Sequence, residues 1–226
     1  MKDTLETLET KPKFNLDFVS QVNKRKRDLI NSSKKLNLPL FTKIFLDHAK
    51  NDDHVFIGNS SVIRSFDYYI NCSSTPIFMN IYTNRGVSGI EGNLATAIGI
   101  CEASDLKQLS VVLGDISFLH DLSSLKALYG KSYHVKIYVL NDHQGGIFGL
   151  LPLEMNNEAK EIISSPHPFN FEKVCDQFDI NYEKINEYKQ LGEAITEIVD
   201  APKIYEINID SKENFTIYQQ LKTMKS

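Results

Sequence analysis

The chain has 226 residues, 42% hydrophobic and 24% charged, with a net charge of −4 and a pI near 5.9. That is apolar mass enough for a packed core, in one large domain or two small ones. The acidic balance argues against a nucleic-acid binder, which would show a basic excess or patch, and no apolar run approaches the length that spans a bilayer.

The stretch Met1 to Lys13 is polar and acidic and reads as a disordered or extended lead-in, not a secretory signal. A helix is expected over 16–32, where Lys24-Arg25-Lys26-Arg27 forms a solvated face. A second helix, over 39–50, carries Leu40, Ile44 and Phe45 at helical spacing. The rhythm then shortens. Val55-Phe56-Ile57 is an apolar run ended by Gly58-Asn59-Ser60-Ser61, and a helix follows over 62–70. Further apolar runs are expected at 77–82, 109–113 and 135–140, with helices over 89–103 and 118–129 between them. A loop with short helices, a helix over 171–178, a short strand near Tyr182, a helix over 187–199, a strand over 203–209 and a polar helix complete the chain. Cys72, Cys101 and Cys175 are far apart, lack metal-ligand spacing and are odd in number, so three reduced, mostly buried thiols and a reducing, aqueous compartment are expected.

Short β-rich runs alternating with helices give βαβ units and an α/β fold, a parallel β-sheet with helices on both faces. In such sheets ligands bind beyond the carboxyl ends of the strands. Four runs end in Gly58-Asn59-Ser60, Asn84-Arg85-Gly86, Gly114-Asp115 and Asn141-Asp142, and all four are expected on one edge.

Asp115 and Asp142 each follow a strand, 27 residues apart, with one helix and one strand between them. Two hard oxygen ligands placed this way suit Mg²⁺, which keeps water or phosphate in its other positions. A helix opening near Ser117 directs backbone N–H groups to that edge, which favours phosphate. Gly145-Gly146 permits close backbone approach to a ligand.

Gly114-Asp115 with Asn141-Asp142 resembles the diphosphate-binding motif of thiamine-diphosphate enzymes. The strings Asn84-Arg85-Gly86-Val87-Ser88-Gly89-Ile90-Glu91-Gly92, Gly114-Asp115-Ile116-Ser117-Phe118-Leu119-His120-Asp121-Leu122 and Gly145-Gly146-Ile147-Phe148-Gly149-Leu150-Leu151-Pro152 are similar to the MenD family. These are the 2-succinyl-5-enolpyruvyl-6-hydroxy-3-cyclohexene-1-carboxylate synthases of menaquinone and phylloquinone biosynthesis. Gly58-Asn59-Ser60 followed by Arg64 fits the same family.

The resemblance implies a transferase, cytoplasmic or in the plastid stroma, that decarboxylates 2-oxoglutarate and adds the succinyl carbanion to isochorismate. Thiamine diphosphate and Mg²⁺, or Mn²⁺, would be its cofactors. By carry-over, Asp115, Asp142 and the backbone carbonyl of Gln144 would hold the metal. Gly114, Ile116, Ser117 and Gly145 would face the diphosphate end, and Ile90, Ile147, Phe148 and Leu151 would wall the thiazolium. Arg64 and Arg85 would bind carboxylates, with Ser60 near the substrate. Residues 1–50 would be the lead-in and N-terminal helices, and 51–226 the binding domain.

The sequence also departs from the family. Asp142 stands where a metal-binding asparagine is usual, and Glu91 replaces an aspartate. His143-Gln144 occupies a stretch often ending in glycine, so Gln144 is expected to take angles that glycine takes more easily. Full-length members carry further domains, one of which supplies the glutamate that activates the cofactor. A partner chain with those domains, or a homo-oligomer, is therefore expected. Two other readings stand beside this one: a subunit of another thiamine-dependent 2-oxoacid decarboxylase, and a non-catalytic remnant or binding module.

Overall fold

In a computed structural model of the chain, residues 16–73, 77–104, 106, 108–150 and 156–224 are described. Six strands form one sheet: β1 (His54–Ile57), β2 (Asn80–Tyr82), β3 (Leu109–Gly114), β4 (Val135–Asn141), β5 (Asn181–Ile185) and β6 (Lys203–Asn208). Their order is β2-β1-β3-β4-β6-β5, and every pair is parallel. The α/β sheet expected from the apolar runs is therefore the fold. Because all strands run one way, the ends of β1, β2, β3 and β4 lie on one edge, as their turn residues indicated.

Nine helices surround the sheet among the described residues: α1 (Leu16–Asn31), α2 (Leu38–His48), α3 (Ser61–Tyr69), α4 (Asn93–Ala103), α5 (Asp115–His120), α6 (Asn157–Ser164), α7 (Phe171–Phe178), α8 (Tyr188–Thr196) and α9 (Ser211–Thr223). Local chemistry sets several starts. Asn37 caps α2 by accepting from the Leu40 N–H at 3.0 Å, with Pro39 in the first turn, where a missing N–H costs nothing. Asn156 and Asn170 cap α6 and α7 in the same way.

The strands alternate between two cores. Val55, Ile57, Tyr138 and Leu140 face α2, α3 and α8, whereas Phe56, Ile137 and Val139 face α4, α5 and α7. All seven residues of β4 are buried, as a central strand covered on both faces requires. A third cluster, with Ile30, Leu40, Tyr69 and Ile217, fastens α1 and α9 to α2. Each large apolar side chain so buried stabilises the fold by roughly 1.5–3 kcal/mol before entropy is counted.

Three expectations change in detail. The run at 77–82 is a strand only over Asn80–Tyr82, on the sheet edge. The helix expected over 89–103 begins at Asn93, because Gly92 takes φ +76° and turns the chain into it. The helix expected over 118–129 starts earlier, at Asp115, and gives way to a 3-10 segment over Leu122–Leu128. The break comes at Asp121, whose carboxylate accepts from the N–H groups of Gly92 and Leu94 at 2.8 Å each and so holds the start of α4. Cys72 and Cys175 are buried, Cys101 is half-buried, and all three are free. Among the described residues no helix is long and apolar enough to cross a membrane.

Candidate cofactor and metal site

Close backbone packing sets the position of the first loop. The Gly58 N–H donates to the Val112 carbonyl at 2.8 Å, and a Cβ at Gly58 would stand 2.7 Å from Leu113 Cδ2, so any larger residue leaving β1 here would displace Leu113. Asn59, 1% exposed, donates from its amide to the Gly89 carbonyl at 2.7 Å and the Asn84 carbonyl at 3.3 Å. It thereby ties the loop after β2 to the end of β1. Ser60 takes φ +69° and ψ −134°, a region that costs a non-glycine residue about 1–3 kcal/mol and concentrates at functional sites.

Asp115 follows β3 and is 3% exposed. One of its oxygens, Oδ1, accepts from the Ile116 N–H at 2.7 Å. The other, Oδ2, accepts from the Gln144 N–H and lies within hydrogen-bond distance of His167 Nε2, both at 3.1 Å. Burial raises its carboxyl above the usual range, while these donors and the histidine pull the other way. Asp142 follows β4. Burial first, and the charge of Asp115 second, push its carboxyl up to about 8. Asp142 Oδ2 would sit 2.2 Å from any Cβ at residue 146, so Gly146 is what lets this carboxylate fold against the next turn.

These groups line one cavity of about 140 Å³ at the carboxyl edge. Ser60, Ile90, Gly114, Asp115, Ile116, Ser117, Asp142, Gln144, Gly145, Ile147 and Phe148 all contribute to it. Leu151 lies outside the described residues. Arg64 and Arg85 do not line this cavity and are exposed. Arg64 donates to the Ser60 carbonyl at 2.7 Å and faces an adjoining cavity of about 200 Å³ with Ser61, Tyr68 and Ile147. Arg85 donates to Asn59 Oδ1 at 3.3 Å. Both guanidinium groups thus converge on the Asn59–Ser60 loop.

The donor set suits a cation bound largely through a ligand's phosphates. Among the described residues no three His, Cys, Asp or Glu side chains cluster as a self-sufficient metal cage. A buried carboxyl, Asp115, and a half-buried one, Asp142, are nevertheless held near enough for one to raise the other, a cost that a divalent cation removes. Among the described residues three donors occupy Asp115, and a carboxylate offers about four lone-pair positions, which leaves room for a cation. The Gln144 carbonyl accepts from the Gly146 N–H at 2.9 Å and keeps its second lone pair. Mg²⁺ fits this sparse set, since it binds through one or two carboxylates plus phosphates and water.

The model of the thiamine pyrophosphate enzyme C-terminal TPP binding domain matches residues 57–209. The chain belongs to that family. Its curated relatives include 2-succinyl-5-enolpyruvyl-6-hydroxy-3-cyclohexene-1-carboxylate synthases. The one from Syntrophus aciditrophicus is 37% identical over 76% of this chain and 30% of the relative. Those from Shewanella baltica and Staphylococcus haemolyticus are 34% and 30% identical, over 72% and 80% of this chain and 28% and 32% of theirs. The chain therefore spans about a third or less of the length of these relatives.

Three features of this thiamine pyrophosphate enzyme domain were not singled out from the sequence. Asn59 read as a turn residue and Asp121 as part of the helix expected over 118–129, yet both hold neighbouring loops through hydrogen bonds. His167 carried one faint signal, its place between Pro166 and Pro168, where fixed backbone angles suit a side chain held in one direction. One expectation is corrected: His143, at φ +59°, takes the left-handed conformation in place of Gln144.

Proposed function

We propose that this chain binds thiamine diphosphate with Mg²⁺ or Mn²⁺ at the carboxyl-edge cavity, as the C-terminal part of a 2-succinyl-5-enolpyruvyl-6-hydroxy-3-cyclohexene-1-carboxylate synthase. The reaction is decarboxylation of 2-oxoglutarate and transfer of the succinyl unit to isochorismate, in menaquinone or phylloquinone biosynthesis. The observation that carries the reading is the convergence of both aspartates, the Gly114–Ser117 turn and three apolar side chains on one cavity.

Asp115, Asp142 and the Gln144 carbonyl hold the cation. Gly114, Ile116, Ser117 and Gly145 surround the diphosphate. Ile90, Ile147 and Phe148, with Leu151, exclude water where carboxylate charge is lost, which favours departure of CO₂. Thiamine diphosphate, when bound, supplies the electron sink that decarboxylation of a 2-oxoacid needs. Arg64 and Arg85 meet substrate carboxylates, for which a guanidinium offers paired N–H donors, and Ser60 lies beside them. Residues 51–226 form the binding domain, preceded by the lead-in and helices of 1–50. The domain that activates the cofactor comes from a partner chain or from further sequence, and the assembly works in the cytoplasm or plastid stroma.

Succinyl transfer from 2-oxoglutarate to isochorismate, assayed together with the domain that activates the cofactor, tests this. Turnover that disappears in Asp115→Ala supports the reading. A second reading, a binding module without turnover, is favoured by Asp142, an ionisable carboxyl where an uncharged asparagine is usual. Cofactor binding with no turnover in any combination supports that one instead.

A further inference from the structure

His167 belongs neither to the loops after β3 and β4 nor to any residue set named above for the cofactor. Yet it is 9% exposed and reaches across 52 residues of sequence to a buried aspartate. We infer that His167 is a positioning residue, which fixes the Asp115 carboxylate in the orientation that receives the divalent cation. The inference rests on the cofactor reading above and deepens it.

The tautomer follows from the hydrogen bonds. His167 Nδ1 accepts from the Phe169 N–H at 3.4 Å, so the ring proton sits on Nε2 and is donated to Asp115 Oδ2 at 3.1 Å. A neutral imidazole suffices for this. The ring is confined on several sides: Phe169 stacks at 5.4 Å, Phe171 lies at 6.0 Å and His143 at 5.5 Å. It therefore has little freedom to swing away from the carboxylate.

The same segment also braces the second loop. The His167 N–H donates to the His143 carbonyl at 3.0 Å, and the Gly145 N–H donates to the Ser164 carbonyl at 2.6 Å. These two bonds flank Gln144, whose N–H donates to Asp115 and whose carbonyl is assigned to the cation. Residues 164–167 thus set both the rotation of one ligand and the backbone of the other. The other two donors to Asp115, the Ile116 and Gln144 N–H groups, belong to the two ligand loops themselves. Among the described residues, His167 alone reaches it from a third element. Partners of this kind outside the ligand set typically change metal affinity by roughly 10–100-fold when lost.

The test compares wild type with His167→Phe, which fills the space without a donor, and His167→Gln, which restores an N–H donor. Mn²⁺ affinity is measured by electron paramagnetic resonance at fixed thiamine diphosphate, with melting of each ligand-free protein as a control. The expected result is affinity weakened roughly 10–100-fold in His167→Phe, recovered at least in part in His167→Gln, with little change in melting. Equal affinity in His167→Phe and wild type overturns the inference while leaving the cofactor reading intact. So does equal weakening in both variants accompanied by lower melting, which marks a structural role. Absence of Mn²⁺ binding in wild type overturns the cofactor reading and this inference with it. Nitrogen NMR of the ligand-free chain adds an independent check: a proton on Nε2 is expected, and a proton on Nδ1 overturns the inference whatever the cofactor does.

Discussion

At the amino edge of the sheet, Lys136 is 2% exposed and its ammonium donates to the carbonyls of Ala194, Ile195 and Glu197. At the carboxyl edge, Asp115 is 3% exposed and leans on Asp142, and each carries a carboxyl pushed up by burial. The lysine closes the end of α8, where unpaired carbonyls attract a cation, and all three of its donors are used. The aspartates face a cavity, and the loops around them hold Ser60 and His143 in left-handed conformations. One edge uses buried charge to complete the fold. The other keeps two carboxyls that burial holds above their usual range, beside strained backbone, which makes sense where a ligand completes the arrangement.

The largest expected effect falls on the amino edge. Lys136→Met leaves the carbonyls at the end of α8 without their donor and should cost about 2–4 kcal/mol in denaturant unfolding, with cofactor affinity unchanged. A smaller loss of stability accompanied by a loss of cofactor binding would erase the contrast between the edges.

Next comes Asp142. Its carboxyl is raised from 3.8 to about 8 in the fold, so the protonated form is favoured there. The stability this confers is fully present below pH 3.8 and is lost as pH rises through 8. The ligand-free chain should therefore be weaker at pH 9 than at pH 5. Asp142→Asn should relieve the loss, gaining at least about 1.4 kcal/mol more at pH 9 than at pH 5, the worth of one pKa unit. Thermal melts without divalent cation at the two values check this. An equal gain at both would show that the Asp142 charge is not strained.

The smallest effect on stability is expected at Arg64 and Arg85, both exposed. Alanine at either should change unfolding free energy by under about 0.5 kcal/mol, measured by the same melts. A drop of several degrees would mean that their bonds to Ser60 and Asn59 hold the loop rather than wait for a carboxylate.

Sequence reading succeeded where punctuation was local. Gly58, Gly114, Asn141 and Asp142 mark strand ends because glycine and short polar side chains suit the turns there, and parallel strands bring such ends to one edge. It failed where a contact spans elements. Nothing periodic announces that Asp121 reaches back to Gly92, or that His167 meets Asp115, since both bonds depend on how separate βαβ units pack. The arginines were legible as residue types for a carboxylate. Their placement outside the cavity that holds the aspartates, drawn to Asn59 and Ser60, was not.

The carboxyl edge, with its raised carboxyls and strained backbone, is proposed as a cation and diphosphate site. Calorimetric titration of thiamine diphosphate with Mg²⁺ into the full chain, alongside Asp115→Ala, tests it most directly. Saturable, Mg²⁺-dependent binding to the wild type is expected, weakened at least about 100-fold, or some 2.7 kcal/mol, in the variant. Absence of binding to the wild type, or equal binding to both proteins, would contradict it.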